Sequence, residues 1–234
     1  IMSTHMIGLD AVGIYSVGSR VASISNFIYS AFAGGWQYFA FSTMHEDDQV
    51  QFNSKIFEVL GVVSILALLF VSFFDNILFS YIFTGDYTQG VLVFPYLFIS
   101  PLFLMLFQIA GNQFLVIKKS YVITVGLMVG AILNIVLNYI LIKLYGIKGC
   151  ALATMLGYLI SLVIMMFSTR HYNLMFYTWK YFLSLMMAMI FIGTRFYASR
   201  LSSYGSAVLG IGMILLMYRK EIVTGLRHFK QKIG

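Results

Sequence analysis

The sequence predicts an all-α fold, a polytopic transmembrane helix bundle of about seven spans. Three observations lead there. Of the 234 residues, 60% are hydrophobic and only 10% are charged, against roughly 25% charged in a typical soluble domain. The apolar runs reach about 20 residues, the length a hydrocarbon core of roughly 30 Å demands of a helix. They recur along the whole chain, separated by short polar or glycine-containing breaks. No soluble fold could hide that much apolar surface.

In chain order the runs predict spans at 13–42, 56–83, 91–116, 121–144, 147–168, 180–199 and 204–218. The first is long enough to tilt or project from the bilayer, and the last is short unless it continues into YRKEIV. Pro95 and Pro101 fall in the third span, where each removes a backbone donor and Pro101 is expected to kink the helix. The linkers HEDDQVQFNSK, TGDYTQG, IKKS, YGIKG, STRHYNLMFYTW and SRLSSYG leave no room for a soluble catalytic domain. No GxSxG, HExxH, Walker loop or paired-carboxylate motif occurs in a supporting context. The four histidines are scattered over loops without ligand spacing, and Cys150 has no second cysteine. The expectation is a protein that is not an enzyme and needs no metal or cofactor.

The net charge of +7 comes from cations between apolar runs and at the C-terminus, which points to membrane orientation rather than nucleic acid. Alternate threading puts Lys55, Lys118, Lys119, Arg170, Lys180, Arg219, Lys220, Arg227, Lys230 and Lys232 on one side, predicted to be cytoplasmic. Lys143, Lys148, Arg195 and Arg200 fall opposite. Half of the larger group lies in the basic tail at 219–234, whose natural neighbour is anionic headgroups. An odd number of spans ending inside requires a span before residue 10, with residues 1–9 as its end, so the chain reads as a fragment.

The first span carries the candidate pathway. At about 100° per residue, Ser16, Ser19, Arg20, Ser23, Asn26, Ser30, Gly34 and Gln37 share an arc of roughly 120°. The other faces are assigned Val17, Val21, Ile24, Phe27, Ile28, Tyr29, Phe32 and Phe39. Arg20 sits roughly 10 Å deep, where an arginine costs about 2.5 to 3.5 kcal/mol. It must find water, an anion or a partner. It either lines a hydrated cavity that meets an anionic cargo, or snorkels to headgroups or pairs with a carboxylate such as Asp10. The serines can equally serve close helix packing.

Two amide pairs have helical spacing, Gln108 with Asn112 and Asn134 with Asn138, and can line a pathway or bond between helices. Glu46, Asp47, Asp48 and Asp86 read as solvated loop residues. Asp75 and Asn76, near a span end, leave a coupling-ion role open.

DAVGIYSVGSRVASI at Asp10 to Ile24 resembles the opening of the C-terminal lobe in polysaccharide flippases of the O-antigen translocase type. NIVLNYILIKLYGIKGCALATMLGYLIS at Asn134 to Ser161 is similar to their run of asparagines, a Tyr-Gly turn and Gly-x-Ala-x-Ala-Thr opening the next helix. That second pattern is shared across the multidrug, oligosaccharidyl-lipid and polysaccharide exporter superfamily. Its physical sense is a tight turn at Gly146 and Gly149 and close helix approach at Ala151 and Ala153.

The resemblance implies the C-terminal lobe of a fourteen-helix transporter in the bacterial inner membrane. Residues 10–170 would be the transport lobe, 171–218 two additional helices, and 219–234 a cytoplasmic tail. The implied activity is alternating-access flipping of an undecaprenyl-pyrophosphate-linked oligosaccharide. Its partners would be that cargo, membrane lipids, an N-terminal lobe and other glycan-assembly proteins. Arg20, Ser16, Ser23, Asn26 and Gln37 would line the pathway. A drug or cation exporter of the same superfamily is the rival reading, expected to favour acidic pathway residues, and a membrane glycan polymerase is the more distant one.

Overall fold

The computed structural model describes residues 8–42 and 48–224, the side chains of residues 33, 34 and 37–42 excepted. Residues 1–7, Glu46, Asp47 and the tail beyond 224 lie outside the described residues. The described elements are helical: α1 Leu9–Ala22, α2 Ile24–Ser42, α3 Gln49–Val71, α4 Asp75–Ile82, a 3₁₀ segment Gly85–Leu92, α5 Phe94–Val116, α6 Tyr121–His171, α7 Trp179–Tyr197 and α8 Arg200–Met217. With so many apolar residues on long helices, the chain is a polytopic membrane helix bundle.

Helix α5 is the centre, with 17 of its 23 residues buried. It continues through Pro101, and Pro95 takes the first turn, where a missing N–H costs no helical bond. Around it, apolar helices are open on their outer sides. The first arm of α6, up to residue 145, buries only Gly126, Gly130 and Ile142, while Ile132, Ile135, Val136 and Ile140 are exposed. Such a helix belongs against lipid or another membrane lobe.

Helix α6 is a hairpin. Gly146 has φ 57° and ψ −135°, a conformation that side chains resist, and the chain reverses there. The pairing then follows outward from the turn: Asn134 Nδ2 donates to the Ala153 carbonyl at 3.0 Å, and further out the Gly130 backbone crosses Gly157 and Ser161. Ala151 and Ala153 are fully buried. Lipid tails are as apolar as leucine, so such small-residue contacts and buried hydrogen bonds hold the helices together.

Helix α1 runs beside the 3₁₀ segment through a close backbone approach. A Cβ on Gly18 would stand 2.5 Å from the Gly90 carbonyl oxygen, so only glycine fits. Further along, Gln108 of α5 meets Tyr29 of α2, which makes α1–α2 parallel to α5.

The α7–α8 pair docks on α3 with one of its ends and on α4 with the other. At the tail end, Thr178 and Tyr218 both donate to Glu58 Oε1, and Lys180 pairs with Glu221. At the opposite end, Arg195 pairs with Asp75, and Asn76 Nδ2 donates to the Tyr204 hydroxyl at 3.0 Å.

Two predicted spans are broken. The 13–42 run is interrupted at Ser23, where Ser23 and Ser25 hydroxyls donate to the Arg20 and Ala22 carbonyls and compete with regular helix bonding. The 56–83 run starts earlier, at Gln49, and stops at Val71, with Ser72 Oγ donating to the Leu69 carbonyl before the short α4. The last span gains a further helical turn over 219–224.

Candidate transport face

In α1–α2 the only charged residues are Asp10 and Arg20, ten positions apart on one helix and so about 15 Å apart. No ion pair joins them; among the described residues Arg20 makes no salt bridge. Its side chain is exposed near the C-terminal end of α1. Ser16, Ser23, Asn26 and Ser30 are exposed too, so one outer surface of the lobe is polar over several turns. Ser16 Oγ donates to the Val12 carbonyl at 2.9 Å and Ser23 Oγ to the Arg20 carbonyl at 2.6 Å, which leaves each hydroxyl oxygen able to accept. Gln37 lies outside the residues whose side chains are described.

Phe27, assigned to the faces beside the stripe, is 76% exposed. α1 and α2 meet at Ser23, a single turn residue whose φ of −63° and ψ of −9° stay in the right-handed helical region.

The amide pairs make local bonds. Gln108 Nε2 donates to Tyr29 Oη at 2.7 Å, linking α5 to α2. Asn138 Nδ2 donates to Asn134 Oδ1 at 3.1 Å, and Asn134 reaches the Ala153 carbonyl across the hairpin. Asn112 is half-buried. Gln108 thus bonds across to α2, while Asn134 and Asn138 bond within the α6 hairpin.

A groove of about 350 Å³ in the α6 hairpin was not anticipated. Its polar lining is Asn134, Thr154, Tyr158 and Ser161. Thr154, Tyr158 and Ser161 have the spacing of one helix face, a signal present in the sequence but masked by the apolar residues between them. Tyr15 of α1 lies beside Thr154 and Tyr158, so this groove adjoins the helix that carries Arg20.

Asp75 and Asn76 are taken up by contacts. The Asp75 carboxylate is wholly buried and paired with Arg195, and Asn76 bonds Asp75 and Tyr204. Glu58 lay unnoticed at the start of an apolar run, and it accepts from two helices at once.

Comparison with known proteins gives one fold. The chain is similar in structure to the lipid II flippase MurJ in an inward closed conformation, with a TM-score of 0.63 and 18% sequence identity over 91% of this chain. The match covers 48% of that protein, so the chain spans about half its length. No family model and no curated protein sequence matches. At this identity the likeness is one of fold: the chain shares the helical architecture of half of a flippase.

Proposed function

We propose that this chain is one lobe of a flippase that turns a lipid-linked oligosaccharide, carried on an undecaprenyl-pyrophosphate-type anchor, across the cytoplasmic membrane. The observation that carries the reading is the exposed polar surface of α1–α2, with Arg20 unpaired on a bundle whose other outer helices are apolar. Lipid is a poor neighbour for such a surface. A second lobe facing it would enclose a hydrated cavity, where Arg20 lowers the cost of moving a pyrophosphate while the lipid tail stays in the bilayer. The fold shared with a lipid II flippase supports this cargo class. The basic C-terminal end sits on the cytoplasmic side by the positive-inside bias.

A cation exporter would place free carboxylates on the pathway. In α1 the one carboxylate is Asp10, exposed in its first turn, while Glu58 and Asp75 are engaged by hydrogen bonds or an ion pair.

The test is complementation in cells lacking their own flippase, comparing the full-length parent with its Arg20→Ala and Arg20→Lys variants at matched membrane levels. Loss of periplasmic lipid-linked glycan with alanine and recovery with lysine is expected. Full delivery by both variants would remove Arg20 from the pathway, and no delivery by the parent, given a suitable glycan donor, would refute the flippase reading.

A further inference from the structure

The end of the bundle opposite the tail carries Lys143, Lys148, Arg195 and Arg200, and three of these converge. Lys148, Arg195 and Arg200 come from α6, α7 and α8 and line one hollow of about 140 Å³ together with Asn76 and Ser203. A second hollow of about 590 Å³ adjoins it, sharing Asn76 and Arg200 and adding Thr88 and Gln89. Cations at the translocated end run against the usual bias of membrane proteins. Here they are gathered at one spot rather than spread along the rim.

The charges there do not cancel. Asp75 is the one carboxylate that approaches, and it is buried behind Arg195 as its ion-pair partner. Asp86 is engaged by Gln89 Nε2 at 3.3 Å and lines neither hollow. Lys148 is tethered to the Phe196 carbonyl at 2.6 Å, which holds its ammonium at the hollow without neutralising it. Arg200 is exposed and has no ion pair among the described residues. Three cations against one carboxylate leave two positive charges uncompensated, Lys148, held by its bond to α7, and Arg200. A hollow of this size holds several water-sized groups, and arginine forks with a lysine point charge match phosphate oxygens.

We infer that this hollow binds a phosphate-bearing anion, with Arg200 and Lys148 as its direct contacts and Arg195 held in place by Asp75. The site is separate from the α1–α2 stripe and stands whether or not the transport reading does. An anionic phospholipid headgroup and a free diphosphate share this chemistry.

Native mass spectrometry of the purified, delipidated protein distinguishes them, using phosphatidylglycerol, phosphatidylcholine as the zwitterionic comparator, and inorganic pyrophosphate as competitor. Wild type should retain phosphatidylglycerol over phosphatidylcholine. Arg200→Gln should weaken that binding about fivefold, and adding Lys148→Gln should weaken it about fivefold again. Lys143→Gln, at the same end but stacked on Tyr139, should leave it unchanged. Displacement by pyrophosphate would assign the site to phosphate as such, and retention against pyrophosphate to the lipid headgroup. Equal uptake of both probes by wild type and Arg200→Gln would overturn the inference, as would an equal loss in Lys143→Gln. Arg200 makes no ion pair among the described residues, so its variant carries the test even if the double variant unfolds.

Discussion

Arg195, in the last turn of α7, pairs with Asp75 in the first turn of α4 across 120 residues of sequence, with the Asp75 side chain wholly buried and the arginine side chain 10% exposed. A buried pair of this kind is worth little against an apolar replacement, but breaking it strands a charge. Asp75→Ala or Arg195→Met alone should therefore destabilise the protein by about 3–5 kcal/mol, and the double variant Asp75→Leu/Arg195→Met should recover most of that. Thermal unfolding in detergent, followed by size-exclusion fluorescence, reads all three.

Gly146 and Gly205 separate two roles of glycine. At Gly146, φ 57° and ψ −135° exclude a side chain, so Gly146→Ala should cost about 1–3 kcal/mol and loosen the hairpin. At Gly205, within α8, a Cβ would meet nothing within 4 Å, so Gly205→Ala should stabilise by about 0.5–1 kcal/mol. Opposite shifts in melting temperature are the expected outcome.

Glu58 joins three helices through one carboxylate oxygen, with Tyr218 Oη and Thr178 Oγ1 each at 2.5 Å. Glu58→Ala removes both acceptor contacts and should cost about 1.5–3 kcal/mol. Hydrogen exchange should rise in the ends of α7 and α8 at the tail side, with α5 unchanged.

The Lys180–Glu221 pair adds a weak dependence on pH. The Lys180 hydrogen bond holds the Glu221 carboxyl below its ordinary value of 4.5. A lowered folded-state value means the contribution is present above the unfolded value and is lost as pH falls through the folded one. Acid below about pH 4.5 should thus bring wild type towards Glu221→Gln, whose unfolding lacks this component. Both groups are partly exposed, so added salt should shrink the difference.

Much of the bundle was legible because a bilayer imposes length and polarity on each helix. The α5 and α7 spans came from apolar runs, and the reversal at Gly146 from the Tyr-Gly turn. The break at Ser23 was not legible, since serine fits a helical stripe and a turn equally well until its hydroxyl is seen bonding the Arg20 carbonyl. Partnerships across long stretches escaped for another reason. Nothing local in the chain tells Glu58 that Tyr218 will be its donor, 160 residues on, or Asp75 that it faces Arg195. Of the candidate face, Arg20 and its serines could be read from periodicity, while the α6 groove beside it depended on how two antiparallel arms meet.

Helices α7 and α8 are fastened to the α3–α4 segment at two separated points, at Glu58 in the first half of α3 and at Asp75 in the first turn of α4. A strut pinned at two points has no pivot. The pair cannot swing away about either point without breaking the hydrogen bonds to Glu58 or the Arg195–Asp75 ion pair, so it travels with the α3–α4 segment. A spectroscopic label on the outer side of α8 would then register displacement of the entire lobe, and a force applied to the tail would be felt at the far surface of the membrane.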